Sequence, residues 1–315
     1  MNILITGGTG FFGKSILAYL KKSPYSNGIR KLFINSRNPE SIKEFFNLED
    51  FPFEVSFFKH DLREKIEFDQ SIDYIIHAAA ESGTSLGITD PITMRNVVVE
   101  GTRNILDFAK INNIKRILFI SSGAIYGKQP SNIKAIKEDC LNSPDILDPN
   151  NAYACSKRQA ENLCSLYHHH YGIDFVIARC FAFLGPYLPL NQHFAIGNFI
   201  LDGLSENDIL INGDGKTIRS YLFADDLSDW LIKILFDGKS GEAYNVGSNE
   251  NITIHDLAKL VSKCFDNKPQ IKVMGKPSKL IDNYVPNVDK IKNDLMAIQN
   301  TTLIDSIKKT IRFHQ

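Results

Sequence analysis

Six short apolar runs punctuate the first half of the chain, at residues 2–6, 31–35, 55–58, 74–78, 117–121 and 175–179. Amphipathic stretches of helical length lie between them, among them 14–22, 91–111 and 153–171. Strands alternating with helices predict right-handed βαβ units and an α/β fold, a Rossmann-type doubly wound parallel sheet. The first run is almost wholly apolar, as a strand buried on both faces must be. Near residue 181 the rhythm breaks: Gly185-Pro186, Pro189, Gly213-Asp214-Gly215 and Gly247 punctuate shorter elements. The pattern predicts a first domain over 1–180. A smaller C-terminal α/β lobe over 181–315, interleaved with the first, would cover the carboxyl ends of the strands, where open α/β sheets bind ligands.

Composition narrows the class. The chain has 315 residues, 43% hydrophobic and 23% charged, with 36 lysines and arginines against 36 aspartates and glutamates. A balanced charge supplies no field for nucleic acid or an anionic membrane, so neither is expected as a partner. The five cysteines form no C-x-x-C pair and their odd number does not suggest a disulfide scaffold. No run approaches the roughly 20 apolar residues of a membrane span, and no leader pattern precedes the first strand. A cytoplasmic location with reduced thiols is expected. His168, His169 and His170 point in three directions around a helix and are read as solvated surface rather than metal ligands, so no metal site is expected.

The segment Asn2-Ile-Leu-Ile-Thr-Gly-Gly-Thr-Gly-Phe-Phe-Gly13 runs strand, glycine turn, helix. Gly7, Gly10 and Gly13 would serve a tight turn, close backbone approach to a pyrophosphate, and close helix–strand packing. The phosphates would rest on free N–H groups at the helix start. The same residues match a P-loop, Gly8 followed by Gly13-Lys14-Ser15, but neither strand ending at His77 or Ser121 offers the acidic magnesium ligand, and Asp61 after Lys59-His60 is a poor match. Lys14 is then an exposed first-turn residue. At the end of the second strand stand Asn35, Ser36 and Arg37, with no acid before Glu40. A carboxylate there would hold the ribose hydroxyl of NAD(H), whereas a guanidinium binds a 2′-phosphate, so NADP(H) is favoured over NAD(H).

Tyr153 and Lys157 stand at i and i+4, on one helix face. A phenol of pKa about 10 is a poor acid or base near neutrality, and an adjacent ammonium stabilises its phenolate. Ser122, ending the fifth strand, can donate to the same substrate oxygen.

With these features the chain resembles the extended short-chain dehydrogenase/reductase family, in its nucleotide-sugar epimerase/dehydratase group. The residues carrying the resemblance are Gly7 to Gly13, Asp61, His77-Ala-Ala-Ala80, Asn96, Ser122 in Ser-Ser-Gly-Ala-Ile-Tyr-Gly127, Tyr153 with Lys157, Arg179, Gly185-Pro186, Gly213-Asp-Gly215, Arg219 to Asp226 and Asn245-Val-Gly247. The resemblance implies an enzyme acting on a nucleotide-diphosphate sugar, a cell-surface polysaccharide precursor, with Ser122, Tyr153 and Lys157 catalytic. It implies that Thr9, Phe11, Phe12, Ser36, Arg37, Asp61, Leu62, Ala78, Ala79, Ala80, Asn96 and Ser121 join the glycine loop, Tyr153 and Lys157 around the cofactor. Ser82, Thr84, Ser122, Asn198 and Arg219 would meet the substrate. A homodimer through the helices at 91–111 and 153–171 is also implied. In the family's 4,6-dehydratases an acidic pair follows the serine or threonine, where this chain has Gly123 and Ala124. The 3,5-epimerase/4-reductases place a cysteine where Ala124 stands. Ala182 replaces an asparagine common in relatives. NADPH-dependent reduction of the C4 ketone of a nucleotide-diphosphate 4-keto-6-deoxy sugar is therefore the expected reaction. A 4-epimerase retaining NAD is the alternative, ahead of a 4,6-dehydratase, a P-loop enzyme or a non-catalytic dinucleotide sensor.

Overall fold

The computed structural model describes residues 1–79, 90–192, 194–277 and 282–315. Its first half alternates as the apolar pattern requires: β1 (Asn2–Thr6), α1 (Phe11–Leu20), β2 (Lys31–Ser36), β3 (Glu54–Lys59), β4 (Tyr74–His77), α2 (Pro91–Ile111), β5 (Arg116–Ser122), α3 (Ala152–Tyr171) and β6 (Phe175–Cys180). The second half contains β7 (Phe183–Leu184), α4 (Ala195–Leu204), β8 (Ile209–Ile211), β9 (Ile218–Ser220), β10 (Leu222–Phe223), α5 (Ala224–Asp237), β11 (Ala243–Val246) and β12 (Asn251–Thr253). It closes with α6 (Ile254–Ser262), β13 (Ile271–Val273), β14 (Asn283–Tyr284), α7 (Asp289–Leu295) and α8 (Leu303–His314).

Seven strands form one parallel sheet in the order β11-β6-β5-β4-β1-β2-β3. The order reverses between β1 and β4, and the crevice beyond their carboxyl ends is where such sheets bind ligands. All five residues of β1 are buried. One side chain layer, with Ile3, Ile5, Leu17 and Trp230, packs under α1 and α5. The opposite layer, with Leu4, Ile75, Ile105 and Phe119, packs under α2 and α3. A separate core of Leu184, Phe199, Leu257 and Ile311 stabilises the C-terminal lobe. Elements from the second half also join the main sheet layer: α5 packs on α1 and β11 extends the sheet beyond β6.

Local chemistry sets the ends of the two long helices. Asp90 caps α2, its carboxylate accepting from Thr93 N at 2.9 Å, and proline occupies the first turn, where no amide donor is needed. Gly172 ends α3 at φ +69°, a conformation that glycine adopts without a Cβ penalty. α1 begins at Phe11, three residues before the apolar periodicity announces it, because glycine backbone rather than a polar cap forms its start. Lys14 is half-buried rather than exposed, since its ammonium lies 3.4 Å from the Phe45 ring centroid. The cysteines are free thiols, and among the described residues no helix is long and apolar enough to cross a membrane and no cluster of ligands could hold a metal.

Gly13 is packed tightly against backbone, since a Cβ there would lie 2.2 Å from Gly8 O. Gly13→Ala is expected to cost roughly 1–3 kcal/mol or more through overpacking; denaturant unfolding at wild-type stability would contradict that packing.

Candidate active site

The carboxyl ends of the main strands and the inner face of the C-terminal lobe enclose a cleft of about 1110 Å³. Its floor is the glycine loop. Gly7 has φ +64°, and a Cβ at this position would stand 2.8 Å from the Ala79 backbone. The turn closes through Gly10 N donating to Gly7 O at 3.0 Å. α1 then starts with no side-chain cap and no acidic residue in its first turn. Its unpaired N–H groups and positive dipole end therefore suit a pyrophosphate, and this cradle fits a dinucleotide. Thr9, Phe11 and Phe12 line the cleft beside it, whereas Gly13 packs inward against Gly8.

At the outer end stand Ser36, Arg37, Asp61 and Leu62. The Asn35 amide is engaged by backbone, donating to Phe58 O and His60 O at 3.0 and 3.2 Å. Arg63 holds Asp61 through a 2.6 Å ion pair, and with Arg37 nearby it brings the carboxyl down to about 2. Asp61 is thus anionic at any ordinary pH, with two guanidiniums in its field.

At the inner end Ala78, Ala79, Ser121, Ser122, Tyr153 and Lys157 line the same cleft. β5 delivers the serines and α3 the tyrosine–lysine pair one turn apart. Lys157 is buried. Its ammonium donates to Ile120 O at 2.7 Å, sits 4.7 Å from the Phe119 ring centroid and 6.0 Å from that of Tyr153. Burial lowers its pKa to about 8, against the opposing pull of Glu161 one turn further along. His77 is buried beneath them, and burial together with the Lys157 charge lowers it to about 3, so it is neutral. Thr102 gives its proton to Val98 O and so accepts from His77 Nε2–H; Nδ1 then accepts from Thr6 at 2.7 Å. This pins β4 to β1 below the cleft without adding charge.

Asn198 and Arg219 line the cleft from the C-terminal lobe. The Arg219 guanidinium pairs with Asp282 at 2.6 Å. Asn96 is not among the lining residues; its amide oxygen accepts from Arg95 at 3.0 Å, and Val97 faces the cleft instead. Ala80, Ser82 and Thr84 lie outside the described residues.

Tyr284 and Glu161 escaped the sequence reading. Tyr284, from the short strand β14, enters the cleft beside Ser122. Its stretch has no periodicity that could have signalled a role. Behind the cleft, Arg179 pairs with Glu161 at 2.9 Å and donates to Tyr126 Oη at 2.8 Å, while Glu161 accepts from Ser121. Glu161 follows Lys157 at i+4, so helical spacing was a usable signal for it.

Comparison with known proteins agrees with this architecture. Residues 3–247 match the model of the NAD dependent epimerase/dehydratase family. The chain is 28% identical over 347 aligned positions to a dTDP-glucose 4,6-dehydratase of Escherichia coli, covering 100% of this chain and 92% of that one. Two solved structures share the fold: a Bacillus anthracis dTDP-glucose 4,6-dehydratase in complex with NAD (TM-score 0.83, 22% identity, 100% and 96% of the two chains) and a Thermotoga maritima UDP-glucose 4-epimerase with UDP-glucose (TM-score 0.82, 21%, 100% and 98%).

The buried ammonium gives a stability test. In the unfolded chain a lysine titrates near 10.5, so below pH 8 both states are protonated and the folded one carries the full desolvation cost. That cost is relieved as pH rises from about 8 to 10.5. Lys157→Met should therefore stabilise the ligand-free protein at pH 7, by up to about 3 kcal/mol, while abolishing turnover. Lower stability of this variant at pH 7 would contradict the assignment.

Proposed function

The chain belongs to the NAD dependent epimerase/dehydratase family, as an enzyme of the extended short-chain dehydrogenase/reductase type, and we propose that it moves a hydride at C4 of a nucleotide-diphosphate sugar. The observation that carries this reading is the convergence of Ser122, Tyr153 and Lys157 in one cleft with a glycine cradle suited to a dinucleotide. A nicotinamide bound there supplies or accepts the hydride. Tyr153 gives its proton to the C4 oxygen in reduction, and its phenolate takes the hydroxyl proton in oxidation. Lys157 stabilises that phenolate, and Ser122 donates to the oxygen as charge develops.

The residues proposed to hold the cofactor run from the glycine loop and the start of α1, at the pyrophosphate, to Ser36, Arg37, Asp61 and Leu62 at the adenosine end. Ala78, Ala79, Ser121, Tyr153 and Lys157 face the nicotinamide end. Asn198 and Arg219 are proposed to meet the sugar diphosphate, so the C-terminal lobe is the substrate lobe. A homodimer would cover the apolar side chains Ile92, Ile111, Leu166 and Tyr171 that α2 and α3 expose.

Water elimination of the 4,6-dehydratase kind finds little support in this site. Gly123 and Ala124 carry no acid, and a Cβ at 123 would already lie 2.7 Å from Phe181 Cζ and Tyr284 Oη. Two C4 reactions remain. The relatives named above are a nucleotide-sugar 4,6-dehydratase and a 4-epimerase rather than 4-keto reductases, which favours 4-epimerisation, in which a transient ketone forms and is reduced with the cofactor retained, over net reduction. Arg37, in a cleft whose β2 end carries no carboxylate, supports net NADPH-dependent reduction of a 4-keto-6-deoxy sugar.

Assay against a panel of nucleotide sugars separates them. Equimolar loss of the reduced-nicotinamide absorbance marks a reductase, and interconversion of C4 epimers without net absorbance change marks an epimerase. Neither outcome with any substrate, and no hydride exchange at C4, would contradict the proposal. Tyr153→Phe should lower kcat by about 10²–10⁴ in either reaction; near-wild-type turnover would remove Tyr153 from its role. Arg37→Ala should raise KM for NADPH about tenfold or more and leave that for NADH nearly unchanged, as expected for loss of a charge-assisted contact to a phosphate.

A further inference from the structure

Tyr284 stands where no sequence pattern placed a functional group. β14 pairs with β9, setting Tyr284 opposite Arg219. The ring packs on Phe181, with centroids 4.6 Å apart, and the Arg219 guanidinium lies 5.8 Å from its centroid. Its hydroxyl projects to Gly123, 2.7 Å from the position a Cβ would take, so glycine at 123 opens the space the phenol fills. There it neighbours Ser122, in a cleft that both share with Tyr153.

Ser122 Oγ has two lone pairs and one proton. Ala124 N donates to it at 3.1 Å, which occupies one lone pair. Resting on the C4 reading above, we propose that Tyr284 is a positioning residue whose hydroxyl donates to the second lone pair of Ser122 and thereby aims the serine proton at the substrate oxygen. Without that donor the hydroxyl can rotate and present a lone pair to the substrate. Burial raises the Tyr284 phenol above the ordinary tyrosine range against a smaller opposing pull from Ser122, so Tyr284 keeps a proton that it can donate. The Lys157 ammonium lies 6.0 Å from the ring centroid of Tyr153, the phenol proposed to exchange its proton. Two phenols in one cleft thus take two tasks, one exchanging its proton and one holding it.

A double-mutant cycle tests this. Hydride transfer is followed in single turnover, with enzyme in excess, for the wild type, Tyr284→Phe, Ser122→Ala and the double variant. Tyr284→Phe keeps the ring on Phe181 and is expected to fold normally. It should lower the rate about tenfold, less than the loss of a donor that touches the reacting oxygen itself, while calorimetric Kd for the nucleotide sugar stays within about twofold. In the Ser122→Ala background the same change should have almost no further effect, because the group it acts through is gone. An unchanged rate in Tyr284→Phe overturns the proposal. Equal losses in both backgrounds, or a loss matched by weaker sugar binding, would overturn it too, by showing a packing or direct contact role. Absence of hydride transfer in the wild type would instead strike the functional reading on which it rests.

Discussion

The ammonium of Lys157 is held out of water against the sheet, with Ile120 O as its hydrogen-bond acceptor and the Phe119 ring beside it. Such burial is unfavourable for the fold, and the polar groups around it are arranged accordingly. His77 below is kept neutral. Glu161, one helical turn on, supplies the opposing charge and is itself held by Arg179. What the fold gains is a fixed cation one turn from the Tyr153 phenol, the arrangement from which the proposed proton transfer follows.

The rest of the architecture serves this placement. β5 lies between β4 and β6, so Ser121 and Ser122 emerge at a rigid strand end beside the switch point. The Arg179–Glu161 pair joins β6 to α3, and Tyr126 Oη donates onward to Asn245 at the end of β11. Replacing a partly buried ion pair by apolar residues is often neutral for stability, so orientation of α3, which carries Tyr153 and Lys157, is the better account of its presence. On the other side of the cleft the glycine turn lets a helix begin with its amides exposed, and the C-terminal lobe supplies the wall that bears Asn198, Arg219 and Tyr284.

Much of this was legible in the chain because the period of the side chains is tied to element type. The apolar run at 2–6 and the amphipathic stretch at 91–111 match β1 and α2 residue for residue. The other early strands differ from their runs by a residue or so, where strand ends carry polar groups such as Lys59 and Ser122. The glycine spacing and the i, i+4 tyrosine and lysine are local signals, and they led to the cleft. Lys14 misled as an exposed residue, because its contact with Phe45 joins segments far apart in sequence. Tyr284 was silent for the same reason: its meaning comes from the space left by Gly123, 161 positions earlier, which no local pattern encodes.

The central claim, that a buried cation makes one phenol acidic, is tested most directly on that phenol. With tyrosine labelled at the ring carbon bearing oxygen, the Tyr153 signal can be titrated in the cofactor-bound wild type and in Lys157→Met. The account predicts ionisation clearly below the ordinary value of about 10 in the wild type and a return to that value or above it in the variant. The same titration midpoint in both proteins would contradict it.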